Sequence, residues 1–173
     1  MTEQWEVLDG AGNPTGRVVT RGKNALKAGE YHLVVHIWIV SSDGEFLIQR
    51  RADEKKLMPG EWAATGGSAL AGEDSFTAAK RELLEELGIN ASAERLQKLT
   101  RMKRRNSMLD LWMVVNDRPA ETLALQKSEV AEARWVKKET LCAMIRDGKF
   151  HNYGDAYFET VFSLIDEHRR ATV

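Results

Sequence analysis

A single cysteine, Cys142, stands in a chain of 173 residues. That count excludes an intramolecular disulfide and a cysteine-based zinc cluster, and it points to a reducing compartment. Three prolines are too few for a proline-rich linker. There is no long apolar run. The longest, Leu33 to Val40, is interrupted by His36 and is far too short to cross a bilayer. The opening MTEQWEVLDG lacks the basic start and apolar run of a signal peptide, so a cytoplasmic protein with no membrane partner is expected. Charge of one sign is lacking too. Against 25 Lys and Arg stand 26 Asp and Glu, a net charge of −1, which excludes a whole-surface basic field. No nucleic-acid polymer is expected as a partner.

What is present fits an ordinary folded domain, with 43% hydrophobic and 29% charged residues. The length suits one domain over 1–173. Residues 1–30 read as an N-terminal extension carrying a hairpin. In it Trp5 to Leu8 and Gly16 to Thr20 pair across the turn chemistry of Asp9 to Pro14. Residues 32–41 form the strongest strand. Leu33, Val35, Ile37 and Ile39 share one face, and His32, Val34, His36, Trp38 and Val40 the other. Both faces are largely apolar, so this strand is expected at the centre of a sheet. Glu45 to Arg50 returns after Ser42-Asp43-Gly44. Glu73 to Leu87 is the clearest helix, with Asp74 as N-cap and Gly88 as its stop. Leu96 to Arg105, Leu109 to Asn116 and the short Ala133 to Val136 read as strands. Glu139 to Arg146 and Asp155 to Arg169 form C-terminal helices within 139–173. The order implies an α/β fold with a mixed sheet between helical layers.

The chemistry concentrates in Gly67 to Ile89. At about 100° per residue, Glu82, Glu85 and Glu86 project within roughly a quarter to a third of the helix. Phe76, Ala79, Leu83, Leu84 and Leu87 take the neighbouring arc. Three carboxylates side by side repel and raise one another's pKa unless a cation sits among them. A hard divalent ion with oxygen ligands fits, Mg²⁺ above all where a substrate brings phosphate oxygens. Arg81 can pair with a neighbouring carboxylate, and Gly66 and Gly67 allow backbone to approach metal or phosphate closely. Glutamates at such spacing more often mark a solvated helix face. The spacing of the whole segment is what carries the reading further.

Gly67, five residues, Glu73, seven residues, then Arg81-Glu82-Leu83-Leu84-Glu85-Glu86-Leu87-Gly88-Ile89 resembles a complete Nudix box of the MutT-like kind, at 67–89. Strand 32–41, Gln49-Arg50-Arg51, Pro59-Gly60-Glu61-Trp62 and Glu129 to Trp135 are similar to that family as well. The resemblance implies an α/β/α sandwich and a hydrolase that cuts a diphosphate (pyrophosphate) bond in a small molecule. A nucleoside-diphosphate derivative is the first expectation for that molecule. By resemblance Glu82, Glu85, Glu86 and the Gly67 carbonyl hold Mg²⁺ (or Mn²⁺). Arg81 orients the glutamates, while Glu73 and Gly66 support the site. The general base lies in the box or is Glu129 or Glu132. A homodimer is left open.

GEYHLVVHIWI and QRRADEKKLMPGEW resemble, more narrowly, the branch related to isopentenyl-diphosphate isomerase, in which a histidine of this strand region binds metal. That isomerase needs a cysteine on the stretch entering its box. Here the stretch is Trp62-Ala63-Ala64-Thr65-Gly66-Gly67, which argues for hydrolysis over isomerisation. A non-catalytic Nudix-fold binding module is the other alternative, and it would be expected to lose box glutamates. Cys142 reads as a small packed residue of a late helix, and His32 and His36 as structural. Arg50 and Arg51 are candidates for the substrate's distal phosphate. Arg101, Lys103 and Arg105 read as one solvated strand face with a lesser claim as a phosphate rim. Trp62 and Trp112 are candidates to stack on a base.

Overall fold

The computed structural model describes residues 3–22 and 25–171; the extreme positions of the expected 1–173 domain lie outside the described residues. The strands are β1 (Gln4–Leu8), β2 (Pro14–Thr20), β3 (His32–Val40), β4 (Phe46–Arg51), β5 (Trp62–Ala63), β6 (Thr65–Ser68), β7 (Leu96–Lys103), β8 (Ser107–Val115) and β9 (Val130–Val136). The helices are α1 (Ser75–Leu87), α2 (Lys138–Arg146) and α3 (Asp155–Ala171), with a short 3₁₀ turn at Ala120–Thr122. β1 and β2 form a separate antiparallel hairpin. The other seven strands make one mixed sheet in which β3 and β8 run parallel and the remaining pairs are antiparallel.

β3 is central, as its two apolar faces require. Val35, Ile37 and Ile39 pack with Leu83 and Leu87 of α1 on one side. Trp38 and Val40 pack with Leu141, Phe158, Val161 and Ile165 of α2 and α3 on the other. The result is an α/β/α sandwich. Burying each such large side chain contributes roughly 1.5–3 kcal/mol. The Asp74 carboxylate caps α1 by accepting from the Thr77 N–H at 2.7 Å, and Gly88 ends it in the left-handed conformation.

The feature that makes a site is a fork in the sheet. β4 pairs with β3 only at Ile39↔Leu47 and Val40↔Phe46 and then diverges. The gap is filled by the segment 62–68, whose β5 half pairs with β4 at Gln49↔Ala63 and Arg50↔Trp62. Its β6 half pairs with β3 from Val34↔Ser68 to Ile37↔Thr65. Gly66 sits where β6 crosses His36. A Cβ there would lie 2.2 Å from the Val35 carbonyl oxygen, so only glycine lets the two strands approach.

Two differences from the sequence expectation bear on the site. β9 starts at Val130 rather than Ala133 because its ladder with β4 continues through Arg50↔Glu132 to Arg51↔Val130, which draws Glu132 into the strand. In α1 the buried stripe is Ala78, Ala79, Glu82, Leu83, Glu86 and Leu87, while Leu84 is exposed. The helix thus turns two of its glutamates inward in place of one leucine.

Candidate active site

Glu82 and Glu86 stand one turn apart on α1 and are 9% and 3% exposed, values ordinarily reserved for paired or neutral acids. Both lean into the fork. The Glu86 carboxylate accepts from Gln49 Nε2 of β4 at 2.9 Å and, at 3.4 Å, from the backbone N–H of Gly66 on β6. It ties β4 to β6 across the gap where β3 and β4 diverge. Gln49 is itself fixed by Thr65, whose hydroxyl donates to its Oε1 at 3.1 Å. Gly67 makes room for Glu82, since a Cβ there would lie 2.3 Å from Glu82 Oε1.

Arg81 organises the rest. Its guanidinium donates to both oxygens of Glu73 at 2.7 and 3.0 Å and to the Ser68 carbonyl at 3.1 Å. It also donates to Glu82 at 2.9 Å and Glu85 at 3.1 Å. Those partners, the Glu73 hydrogen bonds first, hold Arg81 firmly protonated. Burial works to raise the Glu73 pKa, but Arg81 and the Leu70 N–H outweigh it and leave Glu73 below the ordinary carboxylate range. Glu73 thereby ties the loop before α1 to the helix.

One guanidinium does not neutralise the cluster. Burial pushes Glu82 up to about 7, against the pull of Arg81. Burial, reinforced by the charge of Glu82, pushes Glu86 up to about 8. Such a pair is either partly protonated or waits for a cation. Glu85 is half-exposed and drawn to Arg81. Among the described residues no three His, Cys, Asp or Glu side chains already stand at ligand spacing for a metal ion.

These groups line a cleft of about 370 Å³ that also takes in His36, Arg51, Lys55 and Glu129. Arg51 donates to the Leu57 carbonyl, at 3.1 Å. Arg50, next to it on β4, points away from the cleft and pairs with Asp53 at 2.9 Å and Glu132 at 3.8 Å. The structure therefore separates both arginines and both late acids: Arg51 and Glu129 face the cleft, Arg50 and Glu132 face each other. Glu129 forms an ion pair with Lys55. Among the described residues, no aromatic ring other than the imidazole of His36 lines the cleft. Trp112 is buried with its indole N–H on Ser75, and Trp62 lies under Arg134 in a different hollow.

Arg101, Lys103 and Arg105 of the basic run are all exposed, the solvated face expected of them, and two of them also make contacts. Arg101 is held across the ladder by the fully buried Asp110, at 2.6 and 2.8 Å. Lys103 donates to the Gly10 carbonyl. Arg104, on neither expectation, turns over the rings of Tyr153 and Tyr157. Cys142 is exposed on α2 rather than packed. The residues that sequence reasoning missed are Gln49, Lys55 and Tyr157. Gln49 alone left a signal, as a polar residue inside the apolar strand Phe46-Leu47-Ile48.

A NUDIX domain model matches residues 30–155, well over half of the chain. The chain belongs to the Nudix family. It is 39% identical over 152 residues to an uncharacterized Nudix hydrolase of Listeria monocytogenes, covering 87% of this chain and 89% of that one. It is 40% identical over 50 residues to the Escherichia coli nucleoside triphosphatase NudI, covering 29% of this chain and 36% of that one. The crystal structure of DR0079 from Deinococcus radiodurans superposes with a TM-score of 0.76 at 23% identity, covering 91% of this chain and 97% of that one. As a Nudix hydrolase the protein acts on diphosphate bonds of small molecules. Among the described residues no helix is long and apolar enough to cross a membrane.

Proposed function

We propose that this Nudix hydrolase uses Mg²⁺, with Mn²⁺ as a substitute, to cleave the diphosphate bond of a nucleoside-diphosphate derivative. The observation that carries the metal requirement is the buried Glu82–Glu86 pair. The cation hydrogen-bonded to it, Arg81, is shared with Glu73 and Glu85, and both acids are pushed above their ordinary range despite it. The donor set is oxygen only, which suits a hard divalent ion. Glu82, Glu86 and the Gly67 carbonyl would hold it, and Glu85, half-exposed, is free to turn from Arg81 and join them. When bound, the ion supplies neutralising charge for the diphosphate and acidifies water.

The remaining roles belong to the protein. Arg51, with no carboxylate ion pair among the described residues, offers its guanidinium to the diphosphate or to the phosphate beyond it. Arg81 holds the glutamates in place against their mutual repulsion. The water's proton passes to a carboxylate of the cleft, from the box or from Glu129; Glu132 faces Arg50 and is out of reach. Support for a nucleoside substrate comes from the likeness to NudI. With no tryptophan, tyrosine or phenylalanine ring lining the cleft among the described residues, a base would be held without stacking on one.

Isomerisation lacks its thiol, because Cys142 sits on α2 and does not line the cleft. The test is an assay of metal-stripped protein against nucleotide and alkyl diphosphates in ¹⁸O-labelled water. Activity should be absent in chelator, return with Mg²⁺ or Mn²⁺, and place one ¹⁸O in a phosphate-bearing product. Full turnover in excess chelator would refute the metal requirement, and an unlabelled isomer as product would refute hydrolysis.

A further inference from the structure

At the back of the cleft three side chains touch in series. The Trp38 indole N–H donates to the Tyr157 hydroxyl oxygen at 3.1 Å, and that hydroxyl lies 2.8 Å from Nδ1 of His36. An indole nitrogen can only donate, so the Tyr157 oxygen is an acceptor there and its own hydrogen needs another partner. Tyr157 is 3% exposed, which leaves water out. If the imidazole donated as well, the tyrosine hydrogen would be buried unpaired, which folded proteins avoid. Tyr157 therefore donates to Nδ1, and the neutral ring carries its proton on Nε2. Nδ1 is the nitrogen occupied within the protein. The ring itself lines the cleft beside Gly66 and Glu86.

We propose that His36 donates its Nε2–H to the substrate's diphosphate, and that Trp38 and Tyr157 are positioning residues that fix the ring's tautomer and direction. The proposal rests on the reading of this cleft as a diphosphate site. A metal-ligand role for His36 would need the opposite tautomer, with a free lone pair on Nε2 and a proton on Nδ1 seeking an acceptor. The Tyr157 hydroxyl already spends one lone pair on Trp38, and its hydrogen points at Nδ1. Arg104 strengthens the same corner. Its guanidinium carbon stands 5.9 Å from the Tyr153 ring and 6.0 Å from that of Tyr157, with no carboxylate partner among the described residues. Burial, with the positive charge of Arg104 and of His151 when protonated, keeps His36 unprotonated near neutral pH.

The test reads binding and tautomer rather than turnover. Calorimetry would follow methylenediphosphonate, an uncleavable diphosphate, binding with Mg²⁺ to the parent, His36→Leu, His36→Gln and Tyr157→Phe. Loss of a hydrogen bond to a charged group predicts about tenfold or more weakening for His36→Leu. His36→Gln, which keeps an N–H donor, should stay within a few-fold of the parent, and Tyr157→Phe should fall between. Mg²⁺ binding measured alone should not change in any variant. Long-range ¹H–¹⁵N NMR of the parent should show His36 protonated at Nε2 and bare at Nδ1, and this readout does not depend on how the variants fold. The reverse tautomer, parental affinity in His36→Leu, or weakened Mg²⁺ binding in that variant would each overturn the assignment. A parent that does not bind the diphosphonate at all would overturn the diphosphate reading with it, whereas a binding parent with an indifferent His36→Leu overturns only the role of His36.

Discussion

Replacing Glu86 by Gln removes one charge from the fork while keeping the side chain's size. The apoprotein should respond first. Glu86 is 3% exposed, and burial together with Glu82 moves it from 4.5 to about 8. An acid whose pKa rises on folding is protonated in the native state while still ionised in the unfolded chain. It therefore lowers stability progressively as pH climbs from about 4.5 to about 8, and the penalty then levels off. The size follows from about 1.4 kcal/mol per pH unit in that window: about 3 kcal/mol at pH 7 and about 1 kcal/mol at pH 5. Gln carries no such penalty, and its carbonyl can still accept from Gln49. For a chain of this length that difference corresponds to a melting temperature raised by roughly 6–12 °C at pH 7 and by only about 2–4 °C at pH 5. Added Mg²⁺ should then stabilise the parent more than the variant, because the ion binds the native parent more tightly. Turnover should fall at least roughly a hundredfold, the scale of a lost metal ligand or general base. Differential scanning fluorimetry at pH 5, 7 and 8, with and without Mg²⁺, beside single-substrate kinetics, reads all of this. A melting difference that ignores pH, or turnover left intact on a true substrate, would mean that the buried acid is not part of a cation site.

Three further substitutions separate the site from its scaffold. Gly67→Ala places a methyl 2.3 Å from Glu82 Oε1. The end of a flexible side chain can yield, so melting should change little while turnover drops about tenfold or more; equal losses of fold and activity would contradict this. Cys142→Ser, exposed on α2, should leave both turnover and stability within experimental scatter, and a loss of several hundredfold in turnover with the fold intact would revive a thiol mechanism. Asp110→Asn breaks a fully buried carboxylate away from Lys98 and Arg101 and should cost about 2 kcal/mol at neutral pH, tempered because both cations are partly hydrated. Those partners overcome burial to hold Asp110 below the ordinary carboxylate range, so its contribution is present at neutral pH and fades as the solution is acidified through that lowered pKa. Urea titrations at pH 7 and in acid check the sign, and a parent–variant gap that widens in acid would refute it.

Local chemistry explains why so much of this was readable in one dimension. Asp74 and Gly88 mark the ends of α1 because a cap and a left-handed stop are properties of a few adjacent residues. The two apolar faces of residues 32–40 declare a central strand because strand period is two. Gly67, Glu73, Arg81, Glu82, Glu85 and Glu86 lie within one loop and helix, so their spacing alone shows that they can meet. What the sequence could not show is which of them turn inward. Helical periodicity grouped Leu84 with the buried stripe and treated the three glutamates alike, yet the fork between β3 and β4 buries Glu82 and Glu86 and leaves Glu85 in solvent. Arg50 and Arg51 are adjacent and chemically identical, and only the alternation of β4 against β5 and β9 sends one to an ion pair with Asp53 and the other to the cleft. Tyr157 meets His36 across 121 positions of sequence, and Arg101 finds Asp110 through a ladder whose register includes an irregularity between Lys98 and Thr100. Spacing along a chain fixes contacts only within a turn or a strand. Beyond that range it is the packing of helices on a branching sheet that decides which charges are buried together, and so which can do chemistry.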